Sequence, residues 1–312
     1  MEQYFVHYES LAQQRWMVSD RPRTSAFEAA IAEVVKPGDV VIDVGAGTGI
    51  LSIFAARAGA RRVIAVERSG MAQLARELIA HNGLQDVIEV FEGDAHDLVL
   101  DEKADVIVSE WLGHMAYVEN MFDAVRAVRD AWLKPGGVML PSGAQVFLAP
   151  IQADRLYYED GPGFWDGESI HGIDFSCFTQ RELERGYSTK IALSERLLLA
   201  PGEVIHTLQT DVAKAGDEWG EGTIRFTIER DGVLNGFMGW FSSQLSPNVL
   251  LETSPEFPTT HWEQTYFPFH PIVVKAGETV AVKFFMYQAY EGERLMEMLL
   301  KVGEQKIRYV VD

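Results

Sequence analysis

The chain has 312 residues, enough for two domains with their own cores, and its 47% hydrophobic and 23% charged make-up is that of a folded protein. A formal net charge of −19 argues against a nucleic-acid binder; it would attract cationic partners such as Arg- or Lys-rich peptides, or serve solubility alone. The only cysteine, Cys177, rules out an intrachain disulfide and a zinc cluster; no apolar run approaches a membrane span, M-E-Q-Y-F-V-H-Y-E-S lacks the marks of a signal peptide, and a cytoplasmic location is expected.

The first forty or so residues read as helical. In S-D-R-P-R-T-S-A-F-E-A-A-I-A-E-V-V, Asp20 and Pro22 are start signals, and an apolar stripe follows at Phe27, Ile31, Val34 and Val35. Lys36-Pro37-Gly38-Asp39 closes this part. Residues 39–140 then alternate strand and helix. The strands are V-V-I-D-V, R-V-I-A-V, V-I-E-V-F and A-D-V-I-V-S. The helices are I-L-S-I-F-A-A-R-A, M-A-Q-L-A-R-E-L-I-A and N-M-F-D-A-V-R-A-V-R-D-A-W-L, the last stopping at K-P-G-G. Such short apolar strands suit a doubly wound parallel sheet, with its ligand at the strands' carboxyl ends.

After Pro141 the pattern changes. A-Q-V-F-L-A-P-I, T-I-R-F-T-I-E-R, I-V-V-K, E-T-V-A-V-K-F-F-M-Y and M-L-L-K-V-G-E-Q-K-I-R-Y-V-V predict a mostly antiparallel β domain over 145–312, a barrel or a sandwich. Asp231-Gly232 is a hairpin signal between two of its strands. Residues 156–186, rich in glycine and aromatics, fit no regular period and read as a long loop or an arm that packs on another subunit.

Asp43-Val44-Gly45-Ala46-Gly47-Thr48-Gly49 joins the first strand to its helix. Glycines there let the backbone approach a ligand and leave helix-start amides free. Glu67 ends the second strand, twenty residues after Gly47, where a carboxylate can accept both ribose hydroxyls. With Gly93-Asp94-Ala95 and Leu133-Lys134-Pro135-Gly136-Gly137, this G-x-G-x-G pattern is similar to the class I methyltransferases that use S-adenosyl-L-methionine. A nicotinamide dehydrogenase would need a His/Lys/Tyr constellation that the sequence does not place.

Glu110 and Glu119 bracket the largely apolar stretch after the fourth strand, S-E-W-L-G-H-M-A-Y-V-E-N-M. Two carboxylates there need a cation, because burying an unpaired charge is costly. This stretch resembles the double-glutamate loop of the protein arginine methyltransferases. Tyr4-Phe5-x-x-Tyr8, Met17-x-x-Asp20-x-x-Arg23-Thr24 and Thr260-His261-Trp262 match further motifs of that family, in order.

The resemblance implies a helical lid over 1–38, a Rossmann-like cofactor domain over 39–144 and a β-barrel substrate domain over 145–312. It also implies an inserted arm, anchored by Phe164 and Trp165, that makes a homodimer. Glu110 and Glu119 would grip the guanidinium of a substrate arginine by charge-assisted hydrogen bonds. His261 and Asp20 would form a proton-accepting or organising pair. Arg23 would hold the methionine carboxylate of the cofactor, Tyr4, Phe5 and Tyr8 would cover the site, and Gln14, Asp43, Gly45, Gly47, Glu67, Asp94 and Ala95 would complete the cofactor set. Met17 and Met121 resemble the type I members, which form asymmetric dimethylarginine. The product cofactor would be S-adenosyl-L-homocysteine.

Three residues depart from the family. Gln14 stands in place of a histidine, His114 in place of a tyrosine, and His96 in place of a glutamate that holds the adenine, a task left open between Asp94 and His96. A small guanidino compound as substrate and a catalytically silent scaffold are the alternatives.

Overall fold

Strand β1 (Val40–Val44) is buried at all five positions, as expected for a strand covered on both faces. The computed structural model that shows this describes residues 10–119, 121–167, 171–191, 197–289 and 295–311. Tyr4, Phe5 and Tyr8 lie outside the described residues. Around β1 stand β2 (Arg62–Glu67), β3 (Ile88–Glu92), β4 (Ala104–Val108) and β5 (Leu133–Leu140), all parallel, in the order β3-β2-β1-β4-β5. The order reverses between β1 and β4, so a crevice opens at their carboxyl ends.

Helices α1 (Leu11–Ser19) and α2 (Arg21–Val34) precede this sheet. Asp20 joins them, and its side chain caps α2 by accepting from the Arg23 amide at 3.1 Å. Phe27, Ala30 and Ile31 turn the buried face of α2 inward. The sheet helices are α3 (Ile50–Arg57), α4 (Met71–His81) and α5 (Phe122–Trp132).

Strand β5 is a finding that the local sequence conceals. Lys134-Pro135-Gly136-Gly137 reads as a helix stop, yet Leu133–Leu140 pair with β4. An edge position and a register shift opposite Ala104 and Val106 accommodate the proline.

Among the described residues the second sheet has ten strands. They are β6 (Gly143–Ile151), β7 (Arg185–Thr189), β8 (Glu203–Gln209), β9 (Gly220–Thr227), β10 (Gly232–Ser246), β11 (Val249–Glu252), β12 (Gln264–Val274), β13 (Thr279–Gln288), β14 (Met296–Val302) and β15 (Gln305–Val311). The order is β8-β6-β10-β12-β7-β15-β14-β13-β9, with β11 beside β10, and only β7 and β15 run parallel. Its ends approach each other, since a Cβ on Gly220 of β9 would lie 2.9 Å from the His206 ring of β8. The result is a nearly closed, mostly antiparallel barrel.

Asp231-Gly232 is not a hairpin, which corrects the sequence expectation. Strand β9 pairs with β13, whereas β10 pairs with β6, β11 and β12. The Asp231 carboxylate instead accepts from the Ala276 amide at 3.0 Å and from Lys275 Nζ at 2.9 Å. Gly232 is also absent from the positive-φ residues, so the backbone a two-residue hairpin needs does not form.

Within 156–186 the described residues form helices α6 (Asp154–Tyr158) and α7 (Thr179–Leu183) and two short 3₁₀ turns. An aromatic cluster braces them, with Trp165 at 5.0 Å from Phe164 and 5.4 Å from Phe178 between ring centres. The Trp165 indole donates to Glu182.

Candidate active site

A cavity of about 410 Å³ opens at the carboxyl ends of β1, β2 and β4, between the parallel sheet, α1 and the His261 loop. Gly45, Gly47 and Gly49 turn the chain from β1 to α3 with φ of 74°, 54° and 80°, a region open to glycine at little cost. A Cβ on Gly45 would come within 2.8 Å of Met121 Cε. Glu67 is buried at the end of β2, where one carboxylate oxygen accepts from the Gly47 amide and the other from the Ser69 amide, both at 2.8 Å. Each oxygen keeps a lone pair for a further donor.

Asp43 stands apart. It is buried and does not line the cavity. Its Oδ2 accepts from the Ser52 hydroxyl at 2.7 Å, and its Oδ1 has no hydrogen-bond partner among the described residues. Burial pushes its carboxyl up to about 7, against the pull of Ser52.

At the far side of the glycine loop, Asp94, Ala95 and His96 line the cavity. Asp94 Oδ1 accepts from the His96 amide at 3.0 Å and meets His96 Nδ1 at 2.8 Å, while Oδ2 lies 3.3 Å from Arg68. The His96 amide and ring, with help from Arg68, hold the Asp94 carboxyl below its ordinary value. The same contact raises His96. Arg68 belongs to this group and carries no local sequence signal.

The opposite end holds the double-glutamate loop. Arg23 Nη1 lies 2.7 Å from Glu110 Oε2, and Glu110 Oε1 accepts from the Leu112 amide at 3.0 Å. Glu110, Glu119, Met17, Met121, Gln14 and Arg23 all line the cavity. Met115, Ala116 and Glu119 have φ of 52°, 65° and 92°, left-handed values that cost about 1–2 kcal/mol each in residues with a Cβ. The barrel supplies the hold. The Trp262 indole donates to the Leu112 carbonyl at 2.7 Å. His114 Nδ1 sits 2.9 Å from the Trp262 carbonyl and 2.7 Å from the Ser188 hydroxyl of β7.

His261 enters the cavity beside Trp16, ring centres 5.2 Å apart. Its Nδ1 lies 2.7 Å from Asp20 Oδ2, and its amide donates to the same oxygen at 2.8 Å. Burial alone would raise the Asp20 carboxyl. The His261 ring and amide and the Arg23 amide outweigh it and hold Asp20 below its ordinary value. Asp20 itself stands behind His261, outside the cavity lining. Among the described residues, no group of His, Cys, Asp and Glu is placed to hold a metal.

The family model of the arginine methyltransferase oligomerization subdomain matches residues 142–303, and that of ribosomal protein L11 methyltransferase matches residues 22–146. Protein arginine N-methyltransferase PRMT10 of Oryza sativa subsp. japonica is 38% identical, over 95% of this chain and 86% of its own. The Trypanosoma brucei PRMT1 enzyme-prozyme heterotetrameric complex with AdoHcy matches with a TM-score of 0.90 at 29% identity, covering 98% of this chain and 99% of that one. Arabidopsis thaliana protein arginine methyltransferase 10, solved in an open conformation, gives 0.85 at 31% identity, covering 99% and 100%.

The parallel sheet, its glycine turn and the buried Glu67 define a class I S-adenosylmethionine-dependent methyltransferase. The chain belongs to the protein arginine N-methyltransferase family and is an enzyme of arginine methylation. Its residues fit the cofactor. Glu67 keeps acceptor capacity for ribose hydroxyls, the Arg23 guanidinium lines the cavity for a carboxylate, and the bare Cα of Gly45 leaves room that a Cβ would fill.

Proposed function

We propose that this enzyme methylates a terminal guanidino nitrogen of arginine in a cationic protein or peptide, giving monomethylarginine and then asymmetric dimethylarginine. One observation carries the reading: Glu110 and Glu119 line the same cavity as Gly45, Gly47, Glu67 and His261. When bound, S-adenosylmethionine supplies an electrophilic methyl group on a sulfonium. Glu67 would accept the ribose hydroxyls, Arg23 would pair with the amino-acid carboxylate, and Asp94 or His96 would hold the adenine.

The chain's own chemistry acts on the guanidinium. That group is planar and permanently charged, and resonance ties up its nitrogen lone pairs. Two carboxylates hold it in plane and draw its positive charge toward the nitrogens they touch, leaving more electron density on the attacking one. Glu110 already accepts one guanidinium, that of Arg23, at 2.7 Å. The nitrogen's proton leaves to His261, whose Nδ1 is turned to Asp20. Met17 and Met121 line the same cavity, which supports the asymmetric product.

The working form we propose is a homodimer through the arm 156–186, in the cytoplasm, or also in the nucleus if the source is eukaryotic. Exposed Phe164 and Phe178 on that arm support the dimer. The test is incubation with methyl-labelled S-adenosylmethionine and a glycine- and arginine-rich peptide, followed by hydrolysis and separation of the methylarginines. Asymmetric dimethylarginine is expected, and symmetric product alone would overturn the assignment.

A further inference from the structure

The left-handed backbone at Met115, Ala116 and Glu119 persists only if neighbours over-determine it. Tyr117 sits among these residues, two before Glu119, and points away from the cavity into the barrel. It is 3% exposed. Its ring stacks on Trp111, centres 6.2 Å apart and planes 9° apart, and meets Trp219 edge-on at 6.3 Å. Its hydroxyl lies 2.9 Å from Nδ1 of His206 on β8, 89 residues along the chain.

Main-chain contacts with Asp217 and Trp219 favour the charged imidazole, and in the neutral ring Nδ1 can accept the phenolic proton. Burial, against those main-chain contacts, holds His206 below its ordinary value, and burial keeps the Tyr117 phenol protonated. A neutral phenol–imidazole pair thus ties the loop to the barrel wall.

We propose that Tyr117 and His206 are positioning residues that set the backbone of Glu119 for catalysis. The inference rests on the reading of Glu119 as a guanidinium-binding carboxylate. Neither residue lines the cavity, so both act through the loop. Removing the bond leaves cofactor binding intact and lets the Glu119 segment relax from its left-handed turn.

The experiment compares Tyr117→Phe, His206→Phe and His206→Asn with the unmutated enzyme, and carries Glu119→Gln alongside. Asparagine retains an acceptor near the place of Nδ1. Tyr117→Phe is expected to lower kcat about tenfold, the size of one buried hydrogen bond, with KM and cofactor Kd unchanged. Amide exchange over residues 113–119 should quicken, and His206→Asn should keep more of kcat than His206→Phe. Wild-type kcat in Tyr117→Phe overturns the proposal. So does a loss shared equally by kcat, cofactor affinity and melting temperature, which marks a purely structural contact. Turnover retained in Glu119→Gln instead sinks the reading of Glu119, whatever Tyr117→Phe does.

Discussion

Arg23 Nη1 and Glu110 Oε2 meet at 2.7 Å across 87 residues of sequence. A guanidinium that lines the cavity therefore already touches one carboxylate of the double-glutamate loop. A lysine keeps the charge and loses the fork. Arg23→Lys should weaken cofactor binding about tenfold by titration calorimetry. Unchanged affinity would remove Arg23 from the cofactor set.

Glu119→Gln keeps shape and removes charge. Turnover on the arginine peptide should fall at least about 100-fold, as when a group aimed at developing charge is lost. Cofactor affinity, measured on the same sample, should stay as it was.

Asp20→Asn tests the His261 pair. Because the folded pKa of Asp20 lies below its ordinary value, its carboxylate contributes stability above that pH and loses it as pH falls through the folded value. Urea unfolding should show the variant less stable than the parent at pH 7, with the gap closing on strong acidification. A gap that widens in acid would refute the assignment.

Asp43 behaves in the opposite sense. Its folded pKa is raised to about 7, so its contribution is complete below the ordinary 3.8 and lost as pH rises through 7. Asp43→Asn should gain on the parent by up to roughly 4 kcal/mol between pH 4 and pH 8 in the cofactor-free protein. A pH-independent difference would mean that Asp43 ionises normally.

Gly113→Ala should disable the double-glutamate loop. A Cβ there would lie 1.7 Å from the Val118 carbonyl oxygen, a main-chain atom that cannot swing aside. The backbone must shift, at about 1–3 kcal/mol, and carry Glu119 with it. Turnover should collapse while the melting temperature drops by only a few degrees. Full activity would show that the loop tolerates another path.

The parallel sheet was legible because its signals are local. Short runs rich in β-branched apolar residues mark strands β1, β2 and β4, and the helix signals at Asp20 and Pro22 coincide with the observed cap and first turn of α2. The place of Glu67 at the cavity was legible because it ends the strand that follows the glycine turn. Strand β5 was not, since Pro135 and two glycines mask an edge strand whose pairing comes from β4. Nor was the fate of Asp231-Gly232, whose carboxylate is taken by Lys275 and Ala276, 44 and 45 residues on.

By itself, the sequence determined the alternation of strand and helix, the glycine turn, the double-glutamate loop and the reaction class, because each is written in residues close together along the chain. Only the tertiary structure decided that Asp20 meets His261 across 241 residues, that Arg23 meets Glu110, and that Tyr117 and His114 contact the barrel from the double-glutamate loop. Those contacts depend on how two sheets pack, and the energy that selects such packing comes from buried surface shared between distant segments, which no local pattern of residues encodes.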